Sequence, residues 1–257
     1  MTAPSVKSRR GAGAAPGARA KRPRGRPRDA ALQQRRREQI LAEATAVFAE
    51  HGYPNTDVQF IADPLGISKG TVYRYFPTKE ELFLAAVERG VLRLEEHMDR
   101  RVEAVDDPVE RIAVAIRSHL EFFRSDPQLV ELFIQERAEF RDQRQPIYFE
   151  HGEANCDRWR DLIRDLIAAG RVRPVPVERV MNVIGDLMYG TMFKNHLTNR
   201  QIPFDEQASD IVDIVFNGIL TSGERKRRGE TCDGPRGRAA VNGKNGHNGN
   251  NGHARRG

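Results

Sequence analysis

The stretch Gly66-Ile67-Ser68-Lys69-Gly70-Thr71-Val72-Tyr73-Arg74-Tyr75-Phe76-Pro77-Thr78-Lys79-Glu80-Glu81-Leu82 carries the residue types that bind a polyanion. A short apolar turn leads into Ser68, whose hydroxyl can cap a helix. Small and hydroxylated residues fill the first turn of that helix, two tyrosines and an arginine follow, and Pro77 stops it. Thr78 then caps a new helix, with Glu81 three positions on completing a capping box. A first turn this narrow can enter a DNA groove, with donors for phosphates around it. The chemistry is binding. The chain shows no nucleophile–base motif, phosphate-cradling glycine loop or convincing acid pair, so an enzyme is not expected.

The elements that must position this stretch read as helices. Over residues 32–51, Ile40, Leu41, Ala44, Val47 and Phe48 fall on one face, and Gly52 is placed to end the helix. Asp57 can cap a second helix carrying Val58, Ile61 and Ala62, which Pro64 should kink or shorten. The third helix is expected over 68–76 and a fourth over 79–102, with Leu82, Phe83, Ala86, Val87, Val91 and Leu94 turned inward. Asp107-Pro108 and Asp126-Pro127 each read as a capped start with proline at the first helical position. Further helices are expected over 145–169, 177–198 and 205–221, and no strand signal appears. The fold class is all-α.

Charge is unevenly placed. Residues 1–37 carry twelve Lys and Arg against Asp29 alone, and residues 223–257 carry nine against three acids, so two basic tails flank an acidic body. Both tails suit a polyanion such as DNA. No apolar run is long enough for a membrane span, and the N-terminus lacks the apolar region of a secretory signal. Two cysteines, Cys156 and Cys232, are too few for a disulfide framework. A cytoplasmic, nucleoid-associated location is the expectation.

The arrangement resembles the TetR family of transcriptional regulators. The residues that carry the resemblance are Ile40-Leu41 with Ala44 and Phe48, then Gly52-Tyr53, Thr56, Ile61-Ala62, and Leu65 through Leu82. The resemblance implies a three-helix DNA-binding domain over 35–95, and a helical effector-binding and dimerisation domain over 96–222. A basic arm over 1–34 and a Gly/Asn-rich tail over 223–257 are expected to be disordered. By position, Lys69, Gly70 and Thr71 would face base edges and phosphates, and Gly70 would allow close backbone approach. Tyr73 would donate to a phosphate and Arg74 would reach a base or phosphate. Lys79 and Thr56 would hold phosphates at the starts of the fourth and second helices.

The segment Lys21-Arg22-Pro23-Arg24-Gly25-Arg26-Pro27-Arg28 resembles an AT-hook, in which an extended Arg-Gly-Arg-Pro lies in a narrow minor groove. Arg24, Arg26 and Arg28 would enter it. The alternative is a basic arm gripping phosphates without regard to shape.

In the larger domain His119, Phe123, Trp159, Asp186 and Tyr189 are candidates to touch a small-molecule effector of unknown identity, although aromatic residues at helical spacing are usually core. Asp186, on an apolar helix, would need a compensating partner if buried. His151, Glu153, Cys156 and Asp157 are metal-ligand types, but their spacing fits no known metal motif, so neither a metal nor a cofactor is implied. The whole reads as a ligand-responsive repressor, acting as a homodimer on a palindromic operator in double-stranded DNA. Its dimer interface is expected from 177–198 and 205–221, including Ile214 and Val215. The alternative is an architectural protein coating A·T-rich DNA through its basic arm.

Overall fold

The computed structural model describes residues 26–198 and 203–228. Among them ten helices follow in order: α1 (Arg26–His51), α2 (Val58–Ala62), α3 (Lys69–Tyr75), α4 (Lys79–Val102), α5 (Pro108–Ser125), α6 (Pro127–Phe140), α7 (Ile147–Ala168), α8 (Val177–Thr198), α9 (Phe204–Ile219) and α10 (Ser222–Arg227). The only extended pairing among the described residues is an isolated bridge between Val172 and Leu220. The all-α expectation holds.

The local signals at the helix ends work as their chemistry requires. Gly52, Gly66 and Gly170 have φ of 79°, 62° and 68°, a left-handed turn that side chains disfavour. Asp57 accepts from the Gln59 N–H at 2.8 Å, Ser68 from that of Thr71 at 3.1 Å, and Thr78 from that of Glu81 at 3.0 Å. Helix α2 lasts five residues and stops before Pro64. The Ile67 N–H returns to the Ala62 carbonyl at 3.1 Å, which closes the turn into α3.

Four expectations change. Helix α1 opens at Arg26, so residues 26–34 are helical and not part of a disordered arm. Pro27 falls in the first turn, where a missing N–H costs nothing, and Ala30, Ala31, Leu32 and Gln33 are good helix formers. Arg26 and Arg28 therefore lie on helical backbone instead of the extended strand an AT-hook needs, and Arg24 lies outside the described residues. Asp126 makes no capping bond to α6, because its carboxylate pairs with Arg93 on α4 at 2.7 Å. Beyond the expected boundary at 222, Thr221 caps α10 through the Glu224 N–H at 3.2 Å. Glu224 is 1% exposed and takes two bonds from Arg171, at 2.7 and 3.0 Å, so α10 is anchored to the body.

Two apolar clusters form the interior. One joins α1, α2, α3 and α4 to α6 through Phe48, Phe83, Leu129, Leu132 and Phe140. Gly90 lets α6 approach α4 closely, since a Cβ there would sit 2.2 Å from a Leu129 methyl carbon. The other cluster gathers α5, α7, α8 and α9 around Ile116, Ile163, Val180 and Phe216. The expected boundary at residue 95 runs through α4, whose buried apolar side chains belong to the first cluster.

Candidate nucleic-acid interface and ligand cavity

Helix α3 is held by one buried side chain, Val72, in the first cluster. Gly70, Tyr73 and Arg74 are exposed around it, and Lys69 and Thr71 are half-buried. The Thr71 hydroxyl lies 3.0 Å from that of Ser68, which orients both at the helix start. A side chain at position 70 would meet nothing closer than the Ser68 hydroxyl at 3.8 Å. Packing therefore does not require glycine there, and what glycine leaves open is approach from outside. Lys69 pairs with Asp57 at 2.7 Å, and that bond holds the Asp57 carboxyl below its ordinary range. The Arg74 guanidinium lies 5.5 Å from the Tyr75 ring centre.

Two expected phosphate contacts have partners inside the protein. Thr56 is 4% exposed and its hydroxyl donates to the Gly52 carbonyl at 2.7 Å. The Lys79 ammonium donates to the carbonyls of Tyr53 at 2.8 Å and of Pro54 and Thr56 at 3.3 Å, with the Tyr53 ring centre 4.5 Å away. Both residues satisfy carbonyls left over where α1 ends, a need invisible in helical periodicity. The groups presented outward are thus Lys69, Gly70, Thr71, Tyr73 and Arg74.

A cavity of about 610 Å³ opens between α4, α5, α7 and α8, within the size range of sites for drug-sized molecules. His119, Trp159, Asp186 and Tyr189 line it. Phe123 does not: it is buried behind His119, with the ring centres 4.8 Å apart. Asp186 is exposed and so needs no buried counter-charge. Tyr148, Met98 from α4 and Arg158 and Arg160 from α7 complete much of the wall. Of the α4 and α7 contributions only Trp159 is named from the sequence as an effector contact, because a helix serving both core and cavity has one apolar stripe for both. His119 donates to or accepts from the Tyr148 hydroxyl at 2.9 Å. Burial pushes the His119 pKa down to about 4 and raises that of Tyr148. Both groups are therefore neutral at physiological pH.

The metal-ligand types on α7 are drawn to separate partners: His151 to Glu95 at 3.1 Å, Glu153 to Gln145 at 3.1 Å and Asp157 to Arg160 at 3.0 Å. Among the described residues no three His, Cys, Asp or Glu side chains converge as a metal site would need. No described helix is long and apolar enough to cross a membrane.

On the outer face of α8 and α9, Val183 and Ile214 are 50% and 66% exposed. Val215, expected beside Ile214 at the dimer interface, is instead buried in the second cluster of its own chain.

Comparison with known proteins places these features in a family. A model described as bacterial regulatory proteins, tetR family, matches residues 40–86, and one described as tetracyclin repressor-like, C-terminal domain, matches 105–192. The chain is 31% identical over 186 residues to the transcriptional activator FasR of Mycolicibacterium smegmatis, spanning 72% of this chain and 83% of FasR. It is 28% identical over 148 residues to the transcriptional regulator HbdR of an Aromatoleum species, spanning 57% of this chain but only 64% of HbdR. Its fold matches that of FadR from Bacillus subtilis, solved in complex with stearoyl-CoA, with a TM-score of 0.60 at 20% identity, over 70% of this chain and 98% of that one.

Proposed function

The chain belongs to the TetR family of transcriptional regulators, and from that premise we propose that it is a homodimeric repressor released from a palindromic operator by a small molecule. It is a DNA-binding regulator and not an enzyme. The observation that carries the operator reading is the outward set on α3: one buried anchor, Val72, and five polar or open positions, Lys69, Gly70, Thr71, Tyr73 and Arg74. In this reading Gly70 and Thr71 meet base edges while Lys69, Tyr73 and Arg74 hold phosphates and bases nearby. Lys69 exchanges Asp57 for a phosphate on binding.

The exposed Val183 and Ile214 support pairing of α8 and α9 with their symmetry mates. That pairing sets the two α3 helices about 34–36 Å apart, one turn of the duplex. The cavity is the effector site. Occupancy favours a conformer in which that separation no longer fits, by no more than the effector's differential affinity for the two conformers. The protein acts on the chromosome in the cytoplasm. The architectural alternative has no support from the family comparison.

The reading is tested by fluorescence anisotropy on a duplex selected by the protein, comparing Tyr73→Phe and Thr71→Ala with the unaltered chain. Each variant weakens binding to the selected site by about 1–2 kcal/mol. Unchanged binding in both would remove α3 as the reading element.

A further inference from the structure

We propose that the cavity takes an uncharged, largely apolar ligand bearing an oxygen, and that the His119–Tyr148 pair receives that oxygen at the buried end. The proposal rests on the cavity being the effector site.

His119, from α5, is 2% exposed and neutral, and its Nε2 lies 2.9 Å from the hydroxyl of Tyr148, from α7. Both residues line the cavity. A neutral imidazole carries one N–H and a phenol one O–H, so the pair holds two protons for one mutual hydrogen bond. If the phenol donates to Nε2, the N–H on Nδ1 is unused. If Nε2 donates to the phenol oxygen, the phenol proton is unused. Nδ1 has no hydrogen-bond partner among the described residues. Nδ1 is closed off from the cavity, so a proton there would be a stranded buried N–H. The favoured tautomer carries its proton on Nε2 and leaves the phenol proton of Tyr148 over, in a cavity lined in part by Val91, Leu94 and Ile116. A ligand carbonyl or hydroxyl oxygen satisfies it. Phe123, 4.8 Å from His119, and Phe133, 5.2 Å from Tyr148 between ring centres, hold the pair in place.

The charge of the wall excludes an anion. Glu95, Glu153, Glu178 and Asp186 outnumber Arg158 and Arg160. Both arginines are already paired, Arg158 with Asp99, and Arg160 with Asp157 and Glu178 at 3.0 Å each. A carboxylate or a nucleotide-bearing thioester would meet net negative charge with no unpaired arginine.

Trp159 is the only tryptophan of the chain and lines the cavity, so its fluorescence reports occupancy. The experiment titrates the full chain with tetralin, its isosteric ketone 2-tetralone, tetralin-2-carboxylate and decanoyl-CoA. The ketone is expected to bind about tenfold more tightly than the hydrocarbon, as one buried hydrogen bond allows. The carboxylate and decanoyl-CoA are expected to bind most weakly. Tyr148→Phe combined with His119→Leu removes both donors, and with them the ketone's advantage, while leaving tetralin binding in place. Should that variant fail to fold, a lowered carbonyl stretch of 2-tetralone bound to the unaltered chain reads the same hydrogen bond, and an unshifted stretch denies it. Equal binding of ketone and hydrocarbon by the unaltered chain would make the pair purely structural. Tightest binding of the carboxylate or decanoyl-CoA would overturn the uncharged class while leaving the cavity as effector site. No response of Trp159 to any of the four would remove the effector site itself.

Discussion

The side-chain amide of Gln135 on α6 donates to the carbonyl oxygen of Phe48 on α1 at 2.9 Å, a buried bond between residues 87 apart in sequence. It ties the DNA-binding helices to the domain that holds the cavity. Phe133 on α6 also touches Tyr148 in the cavity wall, so one helix contacts both α1 and the cavity wall.

Removing that bond is expected to weaken the link between α1 and α6. The Gly52 N–H also donates to the Phe48 carbonyl at 2.9 Å, so Gln135→Met leaves that oxygen satisfied. The expected loss of stability is about 1 kcal/mol by denaturant titration. The ratio of operator affinities without and with effector falls at the same time. A ratio unchanged by Gln135→Met would mean that α6 does not carry the coupling.

Lys69, at the start of α3, and Lys79, at the start of α4, should behave oppositely. Lys69→Ala lowers the slope of log affinity against log salt by about 1 and leaves the melting temperature unchanged. Lys79→Met leaves the salt slope unchanged and costs about 1–2 kcal/mol of stability, because it strands the carbonyls of Pro54 and Thr56 and leaves that of Tyr53 only the Thr56 N–H at 3.4 Å. Thermal melts and binding titrations at several salt concentrations read both effects.

Helix α10 is part of the folded body. Glu224→Ala leaves Arg171 with Asp107 alone as its partner, at 2.8 Å, and costs about 1–2 kcal/mol. The hydrogen bond from Arg171 holds the Glu224 carboxyl below its ordinary value of 4.5. The stability it contributes is therefore complete above that value and is lost as pH falls below it. The gap in stability between the unaltered chain and Glu224→Gln should shrink on acidification and stay constant above neutrality.

Much of this was legible in the sequence wherever the cause was local. Gly52, Ser68, Thr78 and Asp107 mark helix ends by their own side-chain or backbone chemistry, and each does so in the fold. The shortening of α2 by Pro64 was legible for the same reason. The internal bonds of Lys79 and Thr56 were not legible, because the carbonyls they satisfy lie in the loop between α1 and α2, reached through contacts that spacing does not encode. Asp126 was misread because an arginine on α4 outcompetes the backbone for its carboxylate. The start of α10 had a local signal, a threonine three residues before Glu224, hidden by the polar composition that follows. Ile214 and Val215 show the remaining limit: adjacent apolar residues on α9 cannot be divided between core and outer face by pattern alone.

That division is itself testable. Ile214→Asp combined with Val183→Asp is expected to give a folded monomer by sedimentation, with operator affinity reduced by loss of the second half-site. Val215→Asp is expected to unfold the chain, since it buries a charge in the second cluster. A Val215→Asp protein that melted normally but sedimented as a monomer would reverse the assignment.

Whether paired α3 helices read a symmetric site is decided by selection from a random duplex pool at about 0.15 M salt. The full chain and a version beginning at residue 26 are run side by side. A palindromic consensus from both, with half-site centres about one helical turn apart, is the predicted result. Enrichment of A·T content without a palindrome, vanishing when residues 1–25 are removed, would contradict it.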